Sequence, residues 1–271
     1  MKFSMREQDG RYQTAESGAL GDWIIKTPST TYKHVPLNEF TAMRLAELVG
    51  VAIPEIRLAE MDKLEQLPAI NLPDEHYAFA IRRFDRQEGE RIHMEDFAQI
   101  LVKYPQDKYR SANYRQIGKI LYGYAEDGLG DVQQLARRLL VNILLANGDA
   151  HLKNWSVLYP NTVTPILSPA YDIVTTRVYM GDEREFALNL GRDKDWYRAS
   201  MGQFEYWAGK ADIPWRAIKP HLLDTMDKAR SLWPDALKDL PMDDEHKAGL
   251  IDHWKALSPY FRIEAASPVL M

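Results

Sequence analysis

The sequence predicts a mixed α/β chain, of the α+β kind, folded as two lobes about a cleft. Three observations carry this. Residues 1–86 read as short β segments around one helix, whereas residues 87–271 are mainly helical and interrupted once by a loop and strands. The 271 residues are enough for two lobes with a real hydrophobic core. The most apolar helical pattern in the chain runs directly into a polar loop, which a hairpin then closes.

In chain order, Trp23-Ile24-Ile25-Lys26 is a strand that stops at Thr27-Pro28, where the proline biases Thr27 to an extended backbone. Asn38 to Val49 reads as a helix, with Phe40, Met43, Leu45, Leu48 and Val49 at its apolar positions and Gly50 as its stop. Ile53 to Ala59 and Tyr77 to Arg83 read as strands. The turn between them, Leu67 to Glu75, holds Pro68, Asn71, Pro73 and Asp74. Helices are expected near 94–102 and 113–125. The buried helix starts at Gly130-Asp131, with Asp131 as N-cap, and carries Val132, Leu135, Ala136, Leu139, Leu140, Ile143 and Leu144 at helical spacing. Asn147-Gly148 ends it. Trp155 to Tyr159 and Val163 to Leu167 form a hairpin about Pro160-Asn161, and three helices follow between Ser200 and Ala256.

Composition excludes several chemistries. There is no cysteine, hence no disulfide, thiolate metal site or cysteine nucleophile. A net charge of −5 gives no global reason to expect direct nucleic-acid binding. No apolar run approaches the roughly 18 residues of a membrane span, and residues 1–7 lack the apolar stretch of a signal peptide. These features favour the cytoplasm.

The loop after the buried helix carries Asp149, His151, Lys153 and Asn154 within six residues. A loop anchored by a helix on one side and a strand on the other places side chains well. The spacing Asp-x-x-x-x-Asn of Asp149 and Asn154 matches the catalytic loop of protein kinases. There the Asp accepts the proton of the attacking hydroxyl and the Asn amide oxygen ligates Mg²⁺. Lys153 is placed to offset charge on transferring phosphoryl oxygens. Asp172, returned by the hairpin to the neighbourhood of Asn154, is the second metal-binding candidate. Lys26 is the candidate phosphate anchor, with Glu39 as its ion-pair partner. Each residue alone has a commonplace reading: Lys26 as a solvated strand residue, Glu39 as a first-turn acid, Asp172 as a turn residue. Their order along the chain is what argues for a site. His151, with no second His or Cys nearby, reads as a structural loop residue.

The segment Asn147-Gly148-Asp149-Ala150-His151-Leu152-Lys153-Asn154-Trp155-Ser156, followed by Leu167-Ser168-Pro169-Ala170-Tyr171-Asp172, strongly resembles the HipA family of serine/threonine-kinase toxins. Further matches are Trp23 to Pro28, Asn38-Glu39, Arg83-Phe84-Asp85-Arg86, Glu95-Asp96-Phe97-Ala98-Gln99 and Asp107-Lys108-Tyr109. The resemblance implies a two-lobed protein-kinase-like fold and an ATP- and Mg²⁺-dependent kinase. Asp149 would be the base, Asn154 and Asp172 the Mg²⁺ ligands, and Lys26 the contact to the ATP phosphates. Backbone groups around Arg82, Arg83 and Phe84 would meet the adenine, with His151 counted in the nucleotide-binding set. It further implies a small helix-turn-helix antitoxin as partner and an aminoacyl-tRNA synthetase as protein substrate.

Met1-Lys2-Phe3-Ser4 resembles the tail of the family's phosphate-binding loop, Ser-Gly-x-Gln-x-Lys-Phe-Ser. On this reading the N-terminal subdomain and most of that loop lie outside the chain, Ser4 does not inherit the regulatory autophosphorylation, and ATP binding by this chain alone is weak. The loop is then supplied by a separate polypeptide, encoded upstream in the same frame, or lost. Two other functions stay open: a catalytically silent kinase fold acting as a binding module, and a small-molecule kinase.

Overall fold

A computed structural model describes residues 1–14, 20–68, 71–87, 89–104 and 112–264. The matched segment Asp107-Lys108-Tyr109 lies outside these residues. Strands β1 (Lys2–Gln8) and β2 (Arg11–Thr14) form a hairpin around Asp9-Gly10. Both turn residues have positive φ, 51° and 76°, the backbone a two-residue hairpin loop requires and the reason an Asp-Gly pair suits it. Next come β3 (Trp23–Lys26), α1 (Val35–Leu48), β4 (Ile56–Glu60), β5 (Leu64–Glu65) and β6 (Tyr77–Arg82). The strands make one sheet in the order β4-β6-β3-β1-β2-β5, antiparallel except for the β2–β5 pair. Lys2 stands opposite Lys26 in its register. One face of the sheet closes over Met5, Trp23, Ile25, Ala78 and Ala80.

Helix α1 starts three residues earlier than its apolar pattern suggests, because Pro36 is tolerated in a first helical turn. It ends at Gly50, whose φ of 88° lets the Gly50 and Val51 amides turn back onto Glu47 and Ala46 carbonyls.

The short pair β7 (Arg86–Gln87) and β8 (Glu90–Arg91) leads to β9 (His93–Asp96) and α2 (Phe97–Ile100). Here the sequence expectation of one helix from 94 is corrected. Residues 93–96 pair with a later strand, and Asp96 then caps α2 in a capping box with Gln99. Helix α3 (Tyr114–Tyr124) is followed by the buried α4 (Gly128–Leu144). The N-cap of α4 is Asp127, not Asp131; the Asp131 carboxylate instead accepts the Leu167 amide at 2.7 Å. Strands β10 (Ser156–Tyr159) and β11 (Ile166–Leu167) complete a three-stranded sheet with β9. The second hairpin strand is shorter than expected because the Asn161 side chain takes the Val163 and Thr164 amides into a turn.

Helices α5 (Met201–Lys210), α6 (Trp215–Asp239) and α7 (Asp244–Ala256) match the three expected in this region. The main core joins α1, β6, α3, α4, α5, α6 and α7. Two buried tryptophans fasten it: Trp233 donates to the Leu45 carbonyl of α1, and Trp254 to the Leu144 carbonyl of α4, both at 2.8 Å. No helix among the described residues is long and apolar enough to cross a membrane.

His253 on α7 is fully buried, with Nε2 2.7 Å from the Ile143 carbonyl and Nδ1 3.2 Å from the Tyr197 hydroxyl. The carbonyl can only accept, so Nε2 carries a proton, and in the neutral ring Nδ1 accepts from the Tyr197 hydroxyl. Burial holds its pKa down to about 4, against the opposing Ile143 bond and with help from Arg177. The folded value is below the unfolded 6.5, so neutral His253 stabilises fully above that pH and the contribution is lost as pH falls toward 4. It amounts to about 3 kcal/mol. Denaturant titrations should show stability falling across that window, and His253→Asn should be less stable at pH 7 but flatter below it.

Candidate active site

Helix α4 delivers the chain to Ala146, whose φ of 51° turns it sharply out of the helix. Asn147 is buried and sets the next turn: its Nδ2 donates to Asn142 Oδ1 at 2.7 Å, and its Oδ1 accepts the Asp149 amide at 3.1 Å. The Ala150 carbonyl then accepts from both Tyr114 Oη (2.8 Å) and Trp155 Nε1 (3.1 Å). These bonds fix the loop backbone without using the Asp149 carboxylate, which points into the cleft.

His151 begins a turn of 3₁₀ helix over Leu152–Asn154, and its Nδ1 accepts the Lys153 amide at 3.3 Å. Nε2 is therefore the protonated nitrogen, and it lies 3.8 Å from Asp149 Oδ1. Buried His151 thus faces Asp149 as well as shaping the loop. Asn154 donates Nδ2 to the Asp149 carbonyl at 2.9 Å. Because that partner is an acceptor, the amide orientation is set and Oδ1 is the atom left to meet a cation.

Lys26, Glu39 and Asp172 come together from β3, α1 and the segment after β11. Lys26 Nζ is 2.5 Å from Glu39 Oε1 and also bonded to Asp172 Oδ1. Burial works against the Lys26 charge, but the two carboxylates outweigh it and raise the ammonium well above the usual lysine range. Burial pushes the Glu39 carboxyl up to about 7, despite the Lys26 charge. Burial also opposes the Asp172 charge, yet Lys26, with lesser help from Lys2 and His151, holds it below the usual aspartate range. Asp172 has a φ of 54°, the left-handed region that aspartate visits more readily than most residues but still at a cost.

A cleft of about 430 Å³ joins these groups, within the usual range for a small-molecule site. Its walls include Lys26, Arg82, Arg83, Phe84, Asp149, His151, Lys153, Asn154 and Asp172. Glu39 stands behind Lys26 as its partner. The two arginines line the cleft with their side-chain charges already paired. Arg82 pairs with Glu55, Arg83 is bidentate to Asp85, and their backbone amides donate to the Glu55 and Asp22 carbonyls. Phe84 instead presents an aromatic wall, with Tyr171 5.6 Å from it.

Sequence reasoning missed several contributors. Lys2 lines the cleft beside its cross-strand partner Lys26; the resemblance of Met1 to Ser4 to a phosphate-binding loop hints at it, and the register of β1 on β3 sets it opposite Lys26. The Tyr171 hydroxyl bonds Ser156 Oγ at 2.5 Å and donates to the Lys153 carbonyl at 2.9 Å, tying the Asp172 segment to the loop. Thr176 accepts the Gly148 amide at 2.8 Å and bonds the Glu183 carboxylate, which lies over the loop.

Gly148 leaves the room that the Glu183 carboxylate occupies. A Cβ there would sit 2.2 Å from Glu183 Oε1 and 2.5 Å from its carboxyl carbon. Gly148→Ala should therefore displace the Glu183 carboxylate, a flexible side-chain end, and cost about 1 kcal/mol. Adding Glu183→Ala should recover part of the loss, read as a coupling energy in a double-mutant cycle of unfolding.

This fold, a curled sheet beside a helical part with Lys26 and Asp149 lining one cleft, is that of the protein-kinase-like class. The chain belongs to the HipA-like C-terminal domain family, whose model matches residues 1–233. Among curated relatives, "Putative kinase Y4dM" of Sinorhizobium fredii is 39% identical over 246 residues, covering 89% of this chain and 59% of its own. "Serine/threonine-protein kinase toxin HipA" of Shewanella oneidensis is 24% identical over 274 residues, covering 94% of this chain and 60% of its own. This chain thus spans about three fifths of the length of these relatives. A solved structure of the Shewanella oneidensis HipA, in complex with HipB and operator DNA, superposes with a TM-score of 0.75 at 20% identity. It covers 96% of this chain and 62% of its own, and shows the shared fold.

Proposed function

We propose that this chain is the ATP- and Mg²⁺-dependent serine/threonine kinase region of a toxin–antitoxin module. One observation carries the reading. Lys26, Asp149, Asn154 and Asp172, up to 146 residues apart in sequence, line a single cleft of nucleotide size, with Lys26 paired to both Glu39 and Asp172.

The residues present fit a metal-bound nucleotide. Two carboxylates share one lysine, leaving a surplus of anionic oxygen, and the Asn154 Oδ1 adds a neutral donor. That is the hard oxygen set Mg²⁺ takes alongside phosphates. Asp172 and Asn154 would hold the ion, whose bound charge offsets that of the phosphoryl oxygens. Lys26 and its neighbour Lys2 would hold the phosphates, and Phe84 and Tyr171 would flank the base. Asp149 accepts the proton of the acceptor hydroxyl as its oxygen bonds to the γ-phosphorus. The bond from that phosphorus to the bridging oxygen breaks, and ADP leaves. Lys153, in the cleft wall, neutralises charge on the transferring group. His151, with Nε2 3.8 Å from Asp149 Oδ1, faces the base.

The family resemblance extends the proposal to a helix-turn-helix antitoxin as partner, which the HipB bound in the solved HipA complex supports, to a protein hydroxyl as acceptor with an aminoacyl-tRNA synthetase as the first candidate, and to a cytoplasmic setting. A separately encoded N-terminal subdomain is a further proposed partner. The test is calorimetric titration of the chain with Mg²⁺–ATP and transfer of ³²P from labelled ATP to protein, with and without the upstream coding region. Binding and transfer support the reading; neither in either context overturns it.

A further inference from the structure

We propose that Asn38 is a positioning residue that keeps Asp172 and helix α1 in register when Lys26 turns to the nucleotide; this rests on the kinase reading above. Asn38 is fully buried, one residue before Glu39. Its Oδ1 accepts the Thr175 amide at 2.9 Å, while its Nδ2 donates to the Thr175 carbonyl at 3.1 Å and to the Tyr179 hydroxyl at 3.2 Å. One side chain thereby pairs with both backbone groups of a residue just past Asp172, as a neighbouring strand would.

The sequence gives no local reason for this asparagine. In a helix interior it is a poor former, and in a core it must be fully hydrogen-bonded to be tolerated. The start of α1 also lacks a side-chain cap, since His34 sits at φ 58° and offers no side-chain bond there. Tertiary contacts hold it instead: the His34 amide donates to the Glu75 carboxylate, and Asn38 bridges to Thr175.

These contacts close a ring. It runs from Glu39 to Lys26, to Asp172, along the chain to Thr175, and through Asn38 back to Glu39. Helix α1 is therefore joined to the Asp172 segment twice, by the charged Lys26 link and by the uncharged Asn38 link. Phosphates and a divalent cation compete for both ends of the charged link. They do not compete for the uncharged one, which lies behind it. Asp172 needs such a restraint, because its left-handed backbone relaxes when its surroundings loosen.

The experiment measures Mn²⁺–ATP binding by calorimetry and steady-state transfer for the wild-type chain, Asn38→Ala, Asn38→Asp and Tyr179→Phe, with melting temperatures alongside. Asn38→Asp keeps the shape but cannot donate to the Thr175 carbonyl. Both Asn38 variants should bind Mn²⁺ about tenfold more weakly in the presence of ATP and lose about tenfold in kcat, the loss expected for displaced buried hydrogen bonds. KM for ATP should move by less than about threefold, a pattern of selective loss at the reacting centre. Tyr179→Phe, which leaves the Thr175 bridge intact, should match the wild type. Folded Asn38 variants with wild-type Mn²⁺ affinity and kcat overturn the positioning role alone; absence of Mn²⁺–ATP binding by the wild type both with and without the upstream coding region overturns the kinase reading and this proposal with it. Hydrogen exchange on the wild type adds a reading independent of variant folding. The Thr175 amide should stay protected when Mn²⁺–ATP is added, and loss of that protection overturns the proposal.

Discussion

Asp149→Asn is expected to lower phosphoryl transfer by about 10²- to 10⁴-fold, the usual worth of a positioned general base, while leaving ATP affinity within about threefold. The loop tells why the two effects should separate. The Asp149 backbone is held by Asn147 and Asn154, so an isosteric amide leaves the fold of the loop unchanged. The lost group is the carboxylate alone, about half exposed to the cleft and faced by His151 Nε2. A residue that acts on the acceptor hydroxyl affects turnover rather than nucleotide binding. Radiolabelled transfer and calorimetry on the same preparation check both halves. Wild-type turnover in Asp149→Asn would remove the base role from this residue.

Lys26→Met is expected to have the largest effect on the folded state, about 3 kcal/mol of stability. Removing the shared cation leaves Glu39 almost fully buried and Asp172 partly so without compensation, and a buried charge that loses its partner is costly. The loss should depend on pH. Burial already pushes the Glu39 carboxyl up to about 7 with Lys26 in place, and without the ammonium it rises further. A group whose folded pKa lies above its unfolded one is favoured in its protonated form, so stability falls as pH rises from about 4.5 upward. The deficit of Lys26→Met against the wild type should therefore be greater at pH 8 than at pH 5 in denaturant titrations. Mg²⁺–ATP binding should be lost as well. An unchanged midpoint at both pH values would show that the carboxylates do not depend on Lys26.

Much of this arrangement is legible in the sequence because local rules agree with the fold. Trp23–Lys26 ends where Pro28 requires, the apolar period of α4 fixes its buried face, and Asn147-Gly148 marks its end. The hairpin after Asn154 carries the logic that Asp172 returns beside the loop, and Lys26 does meet Asp172 there. The failures are equally physical. His93–Asp96 is too short for its alternation to stand out, and its strand state comes from pairing with Ser156–Tyr159 across sixty residues of chain. Asp127 and Asp131 are equally good caps by type, and only the Leu167 amide decides between them. Lys2, Tyr171, Thr176 and Glu183 act through partners distant in sequence or through backbone groups, which residue type does not disclose. Asn38 was visible as part of a matched pair with Glu39, but its partner is the backbone of Thr175, and no sequence pattern names that.

Helix α1 has a mechanical consequence. By position in the chain it is an insertion between strands, but its buried face shares one core with α4 and α6, while Phe79 and Ile81 of β6 press on it from the sheet. It works as a strut wedged across the gap rather than as a flap on one side. The part bearing Lys26 and the part bearing Asp149 cannot swing apart like a jaw without α1 tearing free of one of them and wetting Ala42, Met43, Leu45 and Ala46. Traffic through the cleft has to use smaller movements, a sliding of packed surfaces by an ångström or two or a local lift of wall residues such as Lys2 and Phe84.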